Sequence, residues 1–271
     1  MDFRKHPLSG ERILFVPERA ARRSAFGDAS AERCPFCAGN ESDTPAEIAR
    51  LGESVDDPWR VRAFPNKYPP TAGSEVIVES PRHDGAFHDH AEDAVRMYAD
   101  RYRAHGDAEY VALFKNEGAR AGASIPHVHS QLIPLPFTPP RIERELRGFA
   151  SRCPLCDPEG HVIRETDTLR WIAPHASSFA YQQWIVPKRH VCDLASFDDD
   201  ELRDLAMLLA DVSRTAFSDY NWMFINFPRR GEAHCYVDVV PRLAALAGLE
   251  LGTGTFVEII DPADAARRLS R

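Results

Sequence analysis

The chain carries one arrangement of metal-binding residues twice. Cys34 and Cys37, then His83 and His127, are answered by Cys153 and Cys156, then His190 and His234. In both copies the cysteines form a Cys-x-x-Cys, an arginine precedes the first histidine, and the two histidines stand 44 positions apart. Composition alone does not keep such a register, so the chain reads as a duplicated unit in which both halves adopt the same fold. Zinc takes four nitrogen or sulfur ligands in a tetrahedron, and a Cys-x-x-Cys turn offers two thiolates from one knuckle. Two Cys2His2 sites are therefore expected, holding two Zn2+ per chain, with the thiolates favouring zinc over iron. Redox-active or unliganded cysteine pairs, the alternative, leave the repeated histidine spacing unexplained. Four ligands close each site, which makes both structural. Cys192 and Cys235, near the second set, read as small buried residues.

The segments between the ligands repeat as well. Ser74–His83 and Tyr181–His190 read as strands running into a basic turn. A helix follows each, over about 89–104 in the first half; in the second Ser196 is the expected cap, with Asp198–Glu201 at the helix start and Leu202, Leu205, Leu209 and Val212 on its apolar face. Strands at Tyr110–Asn116 and Tyr220–Asn226 both end in Phe-x-Asn, and His129–Leu135 and Tyr236–Val240 close the halves. Each half is thus strand, strand, helix, strand, strand around a metal. This is an α+β fold with mainly antiparallel pairing. Prolines at 139 and 140 break the strand before a short charged helix, placing the boundary near Pro140 and the halves at 1–140 and 141–271.

The chain does not have the composition of a general nucleic-acid binder, since its formal charge is −8. No run of about 18 apolar residues and no export leader is present, so a cytoplasmic protein without a membrane partner is expected. Four of the six cysteines belong to the repeated sets, which in that compartment favours metal over disulfides.

The halves differ at one place. In the first, the last ligand opens the string His127-Val128-His129-Ser130-Gln131, whereas the second has Tyr236 and Asp238 where His129 and Gln131 stand. Alternate side chains of a strand share a face, so His127 as ligand leaves His129 and Gln131 beside it to meet a substrate. The preceding turn, Ala121-Gly-Ala-Ser-Ile-Pro126, is small enough for its backbone amides to approach a phosphate. A neutral imidazole attacks phosphorus to give a phosphoramidate, which a second nucleophile breaks. That chemistry needs the positioned histidine, donors for the non-bridging oxygens and a good leaving group.

Cys34-Pro-Phe-Cys-Ala-Gly-Asn40, Phe64-Pro-Asn-Lys-Tyr68, Ser80-Pro-Arg-His83, Phe114-Lys-Asn-Glu-Gly118 and Ser124-Ile-Pro-His-Val-His-Ser-Gln131 resemble, in order, the signature segments of the galactose-1-phosphate uridylyltransferase family, the transferase branch of the histidine-triad superfamily. The resemblance implies His129 as nucleophile on the α-phosphorus of a nucleotide sugar, with a nucleotidyl-histidine intermediate and a sugar 1-phosphate leaving. It implies that Gln131 and Ser124 bind phosphate, that Asn66, Lys67 and Asn116 line the nucleotide pocket, that Arg19 and Arg22 lie near the phosphates, and that the protein is a homodimer. Ser130 replaces the family's glycine and Ile125 its asparagine, and 247–256 lacks the Gly-Tyr-Glu stretch that holds the hexose. His-x-His-Ser-Gln followed by Leu132-Ile-Pro-Leu-Pro136 is similar instead to the related ADP-glucose phosphorylases. Three functions are open at this point. The first is transfer from UDP-glucose to a hexose 1-phosphate. The second is phosphorolysis of an ADP-sugar by inorganic phosphate. The third is a zinc-stabilised nucleotide-binding scaffold without turnover.

Overall fold

A computed structural model describes residues 2–17, 33–52 and 59–270. A hairpin of β1 (Asp2–Lys5) and β2 (Arg12–Phe15) forms a sheet of its own and touches the rest through Phe3 and Phe137, whose rings are 5.6 Å apart. The first half then runs β3 (Ala49–Leu51), β4 (Val61–Pro65), β5 (Glu75–Val78), α1 (Ala91–Ala104), β6 (Tyr110–Glu117) and β7 (His129–Leu135). After α2 (Pro140–Leu146) the second half repeats the order as β8 (Gly160–Glu165), β9 (Leu169–Pro174), β10 (Gln183–Pro187), α3 (Asp199–Ser213), β11 (Tyr220–Ile225) and β12 (Tyr236–Pro241). The short helices α4 (Gly248–Thr253) and α5 (Pro262–Leu269) follow. Three strands precede the long helix of each half, not the two expected. Besides Ala49–Leu51 and Gly160–Glu165, the strands not located were Val61–Pro65 and Leu169–Pro174, which are largely buried on both faces and so lack the alternation that marks a half-exposed strand.

All ten strands of the repeat form one antiparallel sheet, in the order β3-β4-β5-β7-β6-β11-β12-β10-β9-β8. Read outward from the β6–β11 seam, the two halves give the same sequence of strands, and the registers place a pseudo-twofold axis at the Phe114–Met223 pair. Helices α1 and α3 lie together on one face. Val95, Tyr98 and Tyr102 of α1 and Leu202, Leu205 and Leu209 of α3 enter a single core with Leu113, Leu132, Trp222 and Val239 of the sheet. Ala91, Ala94 and Ala99 complete the buried face of α1, which is why its large apolar residues alone look untidily spaced. The cap of α3 is Asp198 and not Ser196. Its carboxylate accepts from the Asp200 and Glu201 amides, and Glu201 accepts in turn from the Asp198 amide, a reciprocal capping box. Ser196 closes the preceding turn, held by Asp193. We place the junction of the halves at Pro140, which opens α2 from the first helical turn, where its missing amide proton is not needed. Among the described residues no helix is long and apolar enough to cross a membrane.

Candidate functional site

The four ligand atoms of each repeated set lie within 4.8 Å of one another. In the first set Cys34 Sγ is 3.6 Å from His127 Nδ1, and Cys37 Sγ is 3.7 Å from both His127 Nδ1 and His83 Nδ1. In the second, the corresponding sulfur-to-nitrogen distances are 3.5, 3.2 and 3.8 Å. A tetrahedral ion with bonds of about 2.3 Å to sulfur and about 2.0–2.1 Å to nitrogen sets these atoms about 3.6 Å apart, so both clusters have the dimensions to hold a metal. Two of the four histidines make the outer contact such a site calls for. His127 Nε2 donates to the Ser80 carbonyl at 2.7 Å and His190 Nε2 to that of Gly231 at 3.0 Å, which fixes the tautomer with the Nδ1 lone pair turned to the ion. Burial, then the neighbouring Cys34, pushes the Cys37 thiol up to about 11. The Cys37 thiol thus keeps its proton unless a cation displaces it.

Phe36, inside the first knuckle, joins the metal cluster to what lies beside it. Its ring stands edge-on to His127 at 6.0 Å and to His129 at 5.3 Å, and 5.6 Å from Phe64. These aromatic rings and Val76 form the apolar side of a cavity of about 470 Å³, a size suited to a small organic ligand. His129, Gln131 and Ser124 form its polar side, and Asn66 and Lys67 enter from the turn after β4. Five of the residues singled out from the sequence are therefore brought to one cavity. Asn116 is not on its wall, but Lys115 pairs with Ser130 and Phe114 with Gln131, which sets Asn116 beside His129 on the cavity face of the sheet. Arg19 and Arg22 lie outside the described residues.

His129 is buried, and its Nδ1 donates to the His127 carbonyl at 2.7 Å. A carbonyl only accepts, so Nδ1 carries the proton and Nε2 the lone pair. Burial lowers the imidazole to about 4, leaving it neutral over the physiological range. The arrangement supplies a neutral nitrogen nucleophile next to amide and hydroxyl donors, with a lysine at the cavity edge.

The opposite side of β7 carries a network that sequence reasoning missed. Ser130 and Tyr98 hydroxyls both donate to Glu79, and Lys115 Nζ lies 2.5 Å from Glu79 Oε2, 3.2 Å from Glu117 and 3.3 Å from the His129 carbonyl. Burial pulls Lys115 down, but Glu79 and Glu117 outweigh it and raise the group. The signal was present in Val111, Leu113 and Lys115, whose alternation puts the lysine on the core face.

In the second half, among the described residues, side chains occupy the corresponding place. Val76 pairs with Gln131, while its counterpart Trp184 pairs with Asp238. The Trp184 ring packs 5.1 Å from that of Tyr236. Arg141 of α2 reaches Asp238 Oδ2 at 2.8 Å, and Gln182 donates to Asp238 Oδ1 at 2.7 Å. The asymmetry between His129–Gln131 and Tyr236–Asp238 is thus an asymmetry of space as well as of chemistry.

No family model matches the chain. Two curated proteins are each 29% identical to it: the ADP-glucose phosphorylase of Arabidopsis thaliana, over 98% of this chain and 91% of that protein, and the galactose-1-phosphate uridylyltransferase of Thermotoga maritima, over 99% and 98%. Among solved structures, an ADP-glucose phosphorylase from Arabidopsis thaliana with bound ADP-glucose superposes with a TM-score of 0.81 at 28% identity, covering 99% of this chain and 97% of that one. A uridylyltransferase superposes with a TM-score of 0.82 at 25% identity, covering 100% and 98%.

Proposed function

From the premise that this chain fits the galactose-1-phosphate uridylyltransferase family, close to the ADP-glucose phosphorylases, we propose that it is a nucleotidyltransferase working through a covalent intermediate on His129. The observation that carries this is the state of His129: a neutral ring pinned through Nδ1, set in a cavity wall between Phe36 and Gln131. Nε2 attacks the α-phosphorus of a nucleotide sugar. The N–P bond forms as the P–O bond to the sugar 1-phosphate breaks, and the leaving oxygen keeps the electron pair. An acceptor phosphate oxygen then attacks the same phosphorus and the electrons of the N–P bond return to Nε2. Gln131 and Ser124 hold the non-bridging oxygens as charge builds on them, Lys67 balances the anion, and Asn66 and Asn116 complete the nucleotide pocket. Phe36, Phe64 and Val76 offer the base an apolar slot.

The donor we favour is UDP-glucose, with a hexose 1-phosphate as acceptor. A second reading, phosphorolysis of an ADP-sugar, is supported by the likeness to the Arabidopsis enzyme seen with ADP-glucose. Initial rates with UDP-glucose plus galactose 1-phosphate, against ADP-glucose plus inorganic phosphate, separate the two. Parallel lines in double-reciprocal plots support the shared two-step route, and intersecting lines with either pair contradict it.

Both Cys2His2 sets are proposed to hold Zn2+ as structural ions that fix the His127 and His234 turns, with no part in the transfer. Elemental analysis should give about two zinc per chain. A homodimer, implied by the resemblance, is tested by light scattering in solution.

A further inference from the structure

The seam between the halves reaches the cavity side of the sheet at Asn221. This residue, at the start of β11 in the second half, stands opposite Asn116 in the ladder. Its Nδ2 lies 2.8 Å from Asn116 Oδ1 and 2.9 Å from the Ala121 carbonyl. The polarity of the pair follows from the backbone. A carbonyl only accepts, so the Asn221 atom facing Ala121 must be the amide nitrogen. The same nitrogen gives its second proton to Asn116, whose facing atom must then be oxygen. The NH2 group of Asn116 is therefore turned away from the seam as a donor, on a residue that the register sets beside His129.

The segment that carries Asn221 also holds the turn leading to Ser124. Asp219 Oδ1 accepts from the Arg120 amide at 2.7 Å, and the Ala123 amide donates to the Gly118 carbonyl at 3.2 Å to close the turn. Gly118 has φ +80, and a Cβ there would lie 2.5 Å from Asp219 Oδ1 and 2.7 Å from the Ser218 carbonyl. Only glycine lets the two halves approach this closely.

We infer that Asn221 is a positioning residue: the second half, whose own cavity is filled, uses Asn221 to lock Asn116 as a hydrogen-bond donor to the phosphoryl oxygens that come to His129. This deepens the nucleotidyl-transfer reading and rests on it. Asn221→Asp presents an acceptor to Ala121 and to Asn116, so Asn116 turns round and shows its oxygen to the anion. Asn221→Ala leaves Asn116 free to take either orientation.

The test compares single-turnover rates of nucleotidyl-enzyme formation, with UDP-glucose and with ADP-glucose, in the wild type, both Asn221 variants, Asn116→Ala and the double variant Asn116→Ala/Asn221→Asp. Losing one donor to a developing oxyanion lowers such rates on the order of 100-fold. The expected order is wild type, then Asn221→Ala down less than about tenfold, then Asn221→Asp down roughly 10- to 100-fold, with the double variant within about twofold of Asn116→Ala. An Asn221→Asp protein no slower than Asn221→Ala overturns the lock, and so does a full additional loss in the double variant. If Asn221→Asp does not fold, the Asn221→Ala step alone must still vanish in the Asn116→Ala background. If the wild type forms no adduct with either sugar, the transfer reading fails on its own, and the lock is then read from pyrophosphate affinity by calorimetry. There the same order of weakening upholds it and equal affinities refute it.

Discussion

The buried pair beneath the candidate nucleophile gives the sharpest stability prediction. Lys115 and Glu79 are both fully buried, 2.5 Å apart, and Glu79 also receives the Tyr98 and Ser130 hydroxyls. Lys115→Met keeps the volume and removes the cation, leaving a buried carboxylate with hydroxyl donors but no counter-charge. Breaking such a pair costs about 3–5 kcal/mol, whereas replacing both partners by neutral groups is often close to neutral. For a chain of this size each kcal/mol moves Tm by about 2–4 °C, so the expected fall is roughly 6–20 °C. The His129 carbonyl also loses a donor 3.3 Å away, so nucleotidyl transfer should slow beyond what unfolding explains. The assay is urea denaturation of metal-loaded protein at neutral pH for Lys115→Met, Glu79→Gln and the double variant. The double variant should recover at least half of the Lys115→Met loss. A Lys115→Met cost under about 1 kcal/mol, in the range of an exposed pair, would refute the reasoning, as would a double variant equal to the sum of the singles.

Two further outcomes are expected. Cys34→Ala should lose one metal ion per chain and, by freeing the His127 turn, nearly all transfer activity, while Cys153→Ala should lose the other ion and keep more activity; colorimetric metal release with turnover on the same samples checks this, and equal activities contradict it. Glu75 is raised by burial, but hydrogen bonds from Arg101 at 2.7 Å and then His105 at 2.8 Å carry it below its ordinary 4.5. A folded value below the unfolded one stabilises the protein above about pH 4.5, and the gain is lost as pH falls through the folded value. Glu75→Gln should therefore destabilise most near neutrality, and the gap to wild type should narrow on acidification. Parallel stability curves across that range would count against this assignment.

The clustering of the Cys and His sets was legible because their spacing is a property of the chain itself. The repeat put Cys34, Cys37, His83 and His127 together, and strand alternation put His129 and Gln131 on one face, where the cavity is found. Contacts made across the halves were not legible. Asn221 and Asn116 meet only because β6 pairs with β11, and nothing local to either strand names the other as its neighbour. Arg141 read as part of a charged helix, yet its partner Asp238 lies almost a hundred residues away in sequence. Phe36 was not singled out, because its contact with His129 depends on how the knuckle docks on β7. At Ser196 the error was local. Serine and aspartate are both good caps, and Glu201, three residues after Asp198, decides between them through the reciprocal bond.

The central claim is that His129 becomes bonded to phosphorus. Intact-protein mass spectrometry after brief incubation with UDP-glucose, and separately with ADP-glucose, tests it directly in the wild type and in His129→Gly. The account predicts a gain of one nucleoside monophosphate on the wild type alone, with the base named by whichever sugar supplies it. No gain from either sugar, or the same gain on His129→Gly, would contradict it.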